Sequence, residues 1–141
     1  MNYGLDTILS NPYLQGSALM QIQQVIQAAG CEWNQGFMQV VRIWPHGQSL
    51  PIAAAKIAPE TGMIGYPFPS GEGYVVVKTL FTSSVVYGQK IDISSTIQKA
   101  CGIWTVFSIN HDLESEVLGG QWFTTILATP LNYAYGGAVT K

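Results

Sequence analysis

GIWTVFSINH, residues 102–111, and QWFTTILAT, residues 121–129, are the stretches on which the fold turns. In the first, Trp104 and Val106 alternate with Ile103, Thr105, Phe107 and Ile109. A period of two is that of a strand, whose successive side chains point to opposite faces. The second is rich in β-branched and aromatic residues, which suit a pleated, half-buried surface. Between them, residues 112–120 read as the tip of a long hairpin. Further out, residues 74–81 are rich in valine and aromatic residues. Residues 90–94 set Lys90, Asp92 and Ser94 against Ile91 and Ile93. Four short strands predict a small barrel or sandwich-like module over 74–130. Residues 131–141 are expected to be irregular.

Upstream, ETGMIGYPFPSGEG, residues 60–73, holds four Gly and two Pro. It reads as a structured connection rather than a strand. Gly62 and Gly65 can take backbone angles that other residues resist, and Pro67 stiffens the path onward. Gly119 and Gly120 let the hairpin tip turn back.

One helix stands out before this. Leu19, Ile22, Val25, Ile26 and Ala29 recur at helical spacing after Ser17, a good N-cap, and Gly30 can end the helix. Its outer face carries Gln21, Gln23, Gln24 and Gln27 without a charge. The period then returns to two. Residues 31–34 and 37–44 read as a hairpin around Gln35-Gly36, and residues 52–57 as a third strand of this unit. The fold class expected is α+β, mostly β. The expected divisions are 1–59, a turn-rich segment with the helix-hairpin unit; 60–73, the connection, through which the two parts share a core; 74–130, the barrel-like module; and 131–141.

Composition narrows the function. The 141 residues are 48% hydrophobic but 10% charged, with a net charge of −2. Soluble domains average about 25% charged residues. The apolar content excludes wholesale disorder, and the slight negative charge argues against a nucleic-acid surface. Two stretches, 7–31 and 117–140, carry no charge, yet both are interrupted by Pro and Gly, so neither reads as a membrane span. No secretory signal is visible. Sparse charge on a soluble chain points to surface that is buried against copies or partners.

Catalytic and metal signatures are weak. Cys31 and Cys101 read as two reduced, buried thiols; there is no C-x-x-C. His46 lies in a Pro/Gly loop without a nucleophile signature and reads as a surface turn residue. HDLESE, residues 111–116, packs one imidazole and three carboxylates together. It lacks the spacing of a calcium loop, and Asp112, Glu114 and Glu116 read as a solvated tip that binds no metal. Trp33, Trp44, Trp104 and Trp122 could stack on sugars, but rings inside strands more often fill cores or subunit contacts. No catalytic, cofactor or metal residue is assigned.

The order of short phrases carries a resemblance. NPY (11–13), GSA (16–18), AAG (28–30), IWP (43–45), SLP (49–51), PETGMIGYP (59–67), VVKTLF (76–81), GIWTVFSINHDLESE (102–116) and GGQWFTT (119–125) follow in turn. The chain resembles the C-terminal part of the central hub proteins of tailed bacteriophages, over about residues 9–129. The resemblance implies a non-enzymatic structural protein of the virion tail, made in the bacterial cytoplasm. It would join the tail tube to the spike or baseplate, as a trimer in the full-length context or a monomer as this piece. Family members commonly continue N-terminally for a comparable length, so Met1 is expected to begin a fragment, or a processed or split form. The expected assembly contacts are Gln21, Gln24, Gln27, Trp44 and Trp122, with the charge-free C-terminal stretch. The structural turns are Gly62, Gly65, Pro67, Gly119 and Gly120. A sugar-binding module of a tail tip and a peptidoglycan hydrolase are the alternative readings.

Overall fold

The computed structural model describes residues 1–36 and 40–130. The chain divides into two compact units, Met1–Gln48 and Ser49–Lys141. The boundary therefore falls well before residue 59, and residues 60–73 lie wholly inside the second unit instead of linking two parts.

In the first unit, α1 spans Ala18–Ala28. The Ser17 hydroxyl accepts a hydrogen bond from the Met20 N–H, which fills one of the free donors of the first turn. Gly30 follows at φ +64°, in the left-handed region that favours glycine. Ile26 is the buried position of the helix; Val25 and Ala29 are half-buried, and Leu19, Met20 and Ile22 are exposed. The strands β1 (Cys31–Gln35) and β2 (Val41–Pro45) pair antiparallel, with Glu32 opposite Trp44 and Trp33 opposite Ile43. Residues 37–39, the start of the predicted second strand, lie outside the described residues. The turn-rich N-terminus extends this ribbon: Ile43 donates to the Met1 carbonyl, and Tyr3 donates to the Ile43 carbonyl, both at 3.0 Å.

The second unit is a six-stranded sheet. Its strands are β3 (Ala55–Ile57), β4 (Met63–Pro69), β5 (Val75–Leu80), β6 (Lys90–Ile93), β7 (Gly102–Leu113) and β8 (Trp122–Thr129). Their spatial order is β3-β6-β7-β8-β5-β4. Every neighbouring pair is antiparallel except β3 with β6. The sheet curls into an open half-barrel, so the protein is α+β, mostly β.

The alternation read from the sequence builds its core. Val75 and Val77 of β5, Ile91 and Ile93 of β6, and Ile126 and Ala128 of β8 all point inward and are buried. Each fully buried aliphatic side chain contributes about 1.5–3 kcal/mol relative to exposure. On β7 the alternation breaks. A bulge between Val106 and Ser108 shifts the register, so Ile109 rather than Ser108 packs on the core.

Two strand expectations change. The predicted strand at 52–57 shrinks to β3 and joins the large sheet, because Ile57 lines up with Ile93 and enters that core. Residues 60–73 contain β4, a strand where only a connection was expected. Its Pro and Gly are tolerated because β4 is an edge, with one side unpaired, and its register slips between Ile64 and Phe68. Gly65 there has φ +68°, and Pro67 is buried. Gly62 ends the 3-10 turn Pro59–Thr61 at φ +95°.

Among the buried polar side chains of this unit, those of Thr79, Gln89, Thr124 and Thr129 are hydrogen-bonded. The Gln89 side chain accepts from the Val86 N–H and donates to the Ala53 carbonyl at 2.8 Å. This pins the segment leading into β3 against the start of β6.

Candidate interaction surface

The hairpin joining β7 and β8 is a built structure. Leu113 faces Trp122 in the last pair of the ladder. Beyond it, the Glu114 N–H donates to the Gln121 carbonyl, and the Gln121 N–H donates to the Glu114 carboxylate, both at 2.9 Å. The Trp122 indole N–H donates to the Glu114 carbonyl at 2.9 Å. A Cβ on Gly120 would lie 2.9 Å from that same carbonyl oxygen, so glycine is needed for the close approach. Gly119 and Glu116 are both left-handed in the tip, at φ +77° and +62°. Asp112, Glu114 and Glu116 are exposed. Glu114 serves as a clasp on the hairpin rather than as loose solvated charge.

Beside the hairpin, Phe81 leaves the end of β5. Its ring meets His111 edge-on at 5.3 Å and Trp122 at 6.0 Å. Edge-to-face pairs at these separations are favourable. Beneath them lies Thr124, fully buried. Its hydroxyl accepts from the Thr82 N–H at 3.1 Å and bonds His111 Nδ1 at 2.9 Å. The rigid base contrasts with what it presents to solvent. Phe81, Leu113, Val117, Leu118 and Trp122 are all exposed, Trp122 by 50%, while the exposed Leu80 sits opposite Phe123 on the other face of the sheet. On the β4 edge, Tyr66 and Phe68 are exposed as well.

The sequence-assigned contact residues scatter. Trp44 is 0% exposed and offers no ring to a partner, which corrects its assignment to an assembly face. Trp104 packs beside the core and donates its indole N–H to the Ala100 carbonyl. Trp122 lies on the exposed surface just described. The glutamine face divides in two. Gln21 and Gln24 turn their amides back onto the carbonyls of Gly16 and Gln15, fixing the helix entry. Gln23 and Gln27 line a cleft with Trp33. The part of the charge-free C-terminal stretch from residue 131 onward lies outside the described residues.

His46 is more than a turn residue. Its Nδ1 pairs with the Glu32 carboxylate at 2.5 Å, joining residues fourteen apart in the chain. Cys31 and Cys101 are free and half-buried. Burial, and then the neighbouring Glu32 carboxylate, push the Cys31 thiol up from its ordinary value, which disfavours the reactive thiolate. The exposed Lys56 and Glu60 form a 2.8 Å ion pair that raises the lysine and lowers the glutamate. Among the described residues, no group of three His, Cys, Asp or Glu is placed to hold a metal ion. Among them, too, no helix is long and apolar enough to cross a membrane.

Sequence reasoning missed Phe81 and Leu113 as a group with Trp122, and Leu118 as the exposed tip above them. A signal was present. Leu113 is an apolar residue left exposed at the end of a strand, where a solvated sheet end would carry a polar one. The grouping itself needs the β5-β8-β7 order. No protein-family model matches the chain, and no curated protein matches it.

Proposed function

We propose that this chain is a structural subunit of a phage tail, a hub domain that joins the tail tube to the spike or baseplate. The observation that carries the reading is the exposed apolar surface around the β7–β8 hairpin, held on a rigid base in a chain with 10% charged residues. Contiguous exposed apolar patches on soluble proteins mark sites of contact with other molecules. The ordered phrases shared with tail hub proteins, from residues 11–13 to residues 119–125, support the same reading. On it, the work of the chain is assembly rather than catalysis. It is made in the bacterial cytoplasm, and three copies meet in the full-length context with tube and spike proteins as neighbours. Leu113, Leu118, Phe81 and Trp122 supply the apolar contact, and the acidic clasp at Glu114 keeps their presentation fixed.

The test is location and assembly. Immunogold labelling of particles from the encoding phage should mark the tail end distant from the head. Leu118→Asp and Val117→Asp alter exposed positions of the hairpin tip, so folding should survive, while the yield of complete tails should fall at least about tenfold, since unpaired charges would be buried in the contact. Absence of the chain from purified tails, or full tail yield from both variants, would remove the proposal. A cell-wall release assay separates the hydrolase reading, since cell-wall turnover would make the chain a hydrolase instead, and tail yield separates a purely sugar-binding module, which would leave assembly full in both variants.

A further inference from the structure

The first unit carries a second feature, distinct from the hairpin surface. A cleft of about 390 Å³ opens between α1 and the β1–β2 ribbon. That is within the range of roughly 300–1,000 Å³ typical of small-molecule sites. Its walls are chemically mixed. Trp33 and Ile26 give apolar surface, Gln23 and Gln27 give two carboxamides, and Glu32 with His46 gives a carboxylate–imidazole pair. We propose that this cleft binds a neutral saccharide.

An indole ring carries a negative face, against which the weakly positive C–H edges of a pyranose ring pack. Each sugar hydroxyl both donates and accepts, so it needs partners of both kinds. A carboxamide offers a carbonyl acceptor and two N–H donors in one group, and the Glu32 carboxylate adds an acceptor. Such groups must also be held still, or the ordering cost consumes the affinity. The ribbon does this. Glu32 and Trp33 sit on the paired strand β1, and the Glu32 side chain is 20% exposed, clamped by His46. Gln23 and Gln27 are one helical turn apart on α1, so both reach the same opening.

Other ligands fit less well. No Lys or Arg lines the cleft among the described residues, which disfavours phosphate or nucleotide. Cys31 also lines it, but its raised thiol argues against covalent catalysis there. A neutral sugar demands neither a cation nor a nucleophile.

A single shallow sugar subsite should bind with a dissociation constant in roughly the millimolar range. The probes are glucose, galactose, N-acetylglucosamine and its dimer, titrated against the full chain by heteronuclear NMR. At least one should shift the Trp33 indole and the Gln23 and Gln27 side-chain amide signals. Gln27→Ala, at an exposed helix position, should weaken that binding about tenfold, and Trp33→Ala should abolish it. Lys90→Ala, on an exposed face of the second unit, should leave it unchanged. If Trp33→Ala fails to fold, the Gln23→Ala and Gln27→Ala pair carries the test alone. No shift with any probe up to about 50 mM, well above the expected range, overturns the proposal. So does undiminished binding in the Gln23→Ala, Gln27→Ala double variant, or saturable binding of inorganic phosphate in place of the sugars. Tail location of the chain is measured separately, so failure here leaves the assembly reading standing.

Discussion

Replacing Thr124 with valine isolates the hydrogen bonds beneath the exposed aromatic group. Thr124 is fully buried on β8, and valine has nearly its shape, so no cavity is expected. What disappears is one hydroxyl with two partners, the Thr82 N–H at 3.1 Å and His111 Nδ1 at 2.9 Å. His111 is exposed and can turn to water, so its loss is small. Thr82 is half-buried, and its N–H loses its acceptor. A lost neutral hydrogen bond costs about 1 kcal/mol, and a stranded buried donor about 1–3 kcal/mol. The additional buried methyl returns roughly 0.8 kcal/mol. The net expectation is a loss of about 1–3 kcal/mol. In a cooperative unit of about 60–100 residues each kcal/mol lowers the midpoint by about 4–8 °C, so melting should fall by at least about 4 °C. Calorimetry measures this, and amide exchange locates it: the Thr82 N–H should lose protection in Thr124→Val and keep it in Thr124→Ser. A valine variant as stable as the parent, or with an unchanged Thr82 exchange rate, would refute the role given to this hydroxyl.

Three further outcomes are expected. Ile91→Ala removes a fully buried side chain from the six-stranded sheet and should cost about 2–5 kcal/mol by urea denaturation. Gly120→Ala places a Cβ 2.9 Å from the Glu114 carbonyl oxygen; the tip must move, at about 1–3 kcal/mol, and the Trp122 indole N–H signal should shift as its bond to that carbonyl breaks. In a Cys101→Ser background, the remaining Cys31 thiol should titrate above its ordinary 9.0, because burial and then Glu32 disfavour the thiolate. The sign follows from linkage. The raised group favours the fold below the unfolded value, and that contribution fades as pH climbs through the folded value, so any stability loss belongs to the alkaline side. A thiolate absorbance midpoint at or below 9.0 would contradict the burial assigned to Cys31.

What the chain states by itself is local. Ser17 and the spacing of Val25, Ile26 and Ala29 give a capped helix, and the period of two gives β5, β6, β7 and β8 nearly to their ends, because both patterns depend on neighbours a few residues away. The turn glycines are equally legible, since Gly62, Gly65 and Gly119 hold backbone angles set by their own positions. Pairing across long separations is different. Nothing in AKI announces that β3 will lie parallel to β6, and Gly and Pro in MIGYPFP conceal a strand that is stable because it is an edge. The bulge that turns Ile109 inward depends on how β7 meets β8, not on β7 alone. Trp44 and Trp122 look alike as aromatic residues in strands, yet one is fully enclosed and the other half exposed. The Glu32–His46 pair joins positions fourteen apart, and the Thr82–Thr124 bond positions 42 apart. Such contacts follow from which strands become neighbours, a choice made by burial of the whole apolar set at once. The tertiary structure alone therefore assembled both the apolar hairpin surface and the Trp33 cleft.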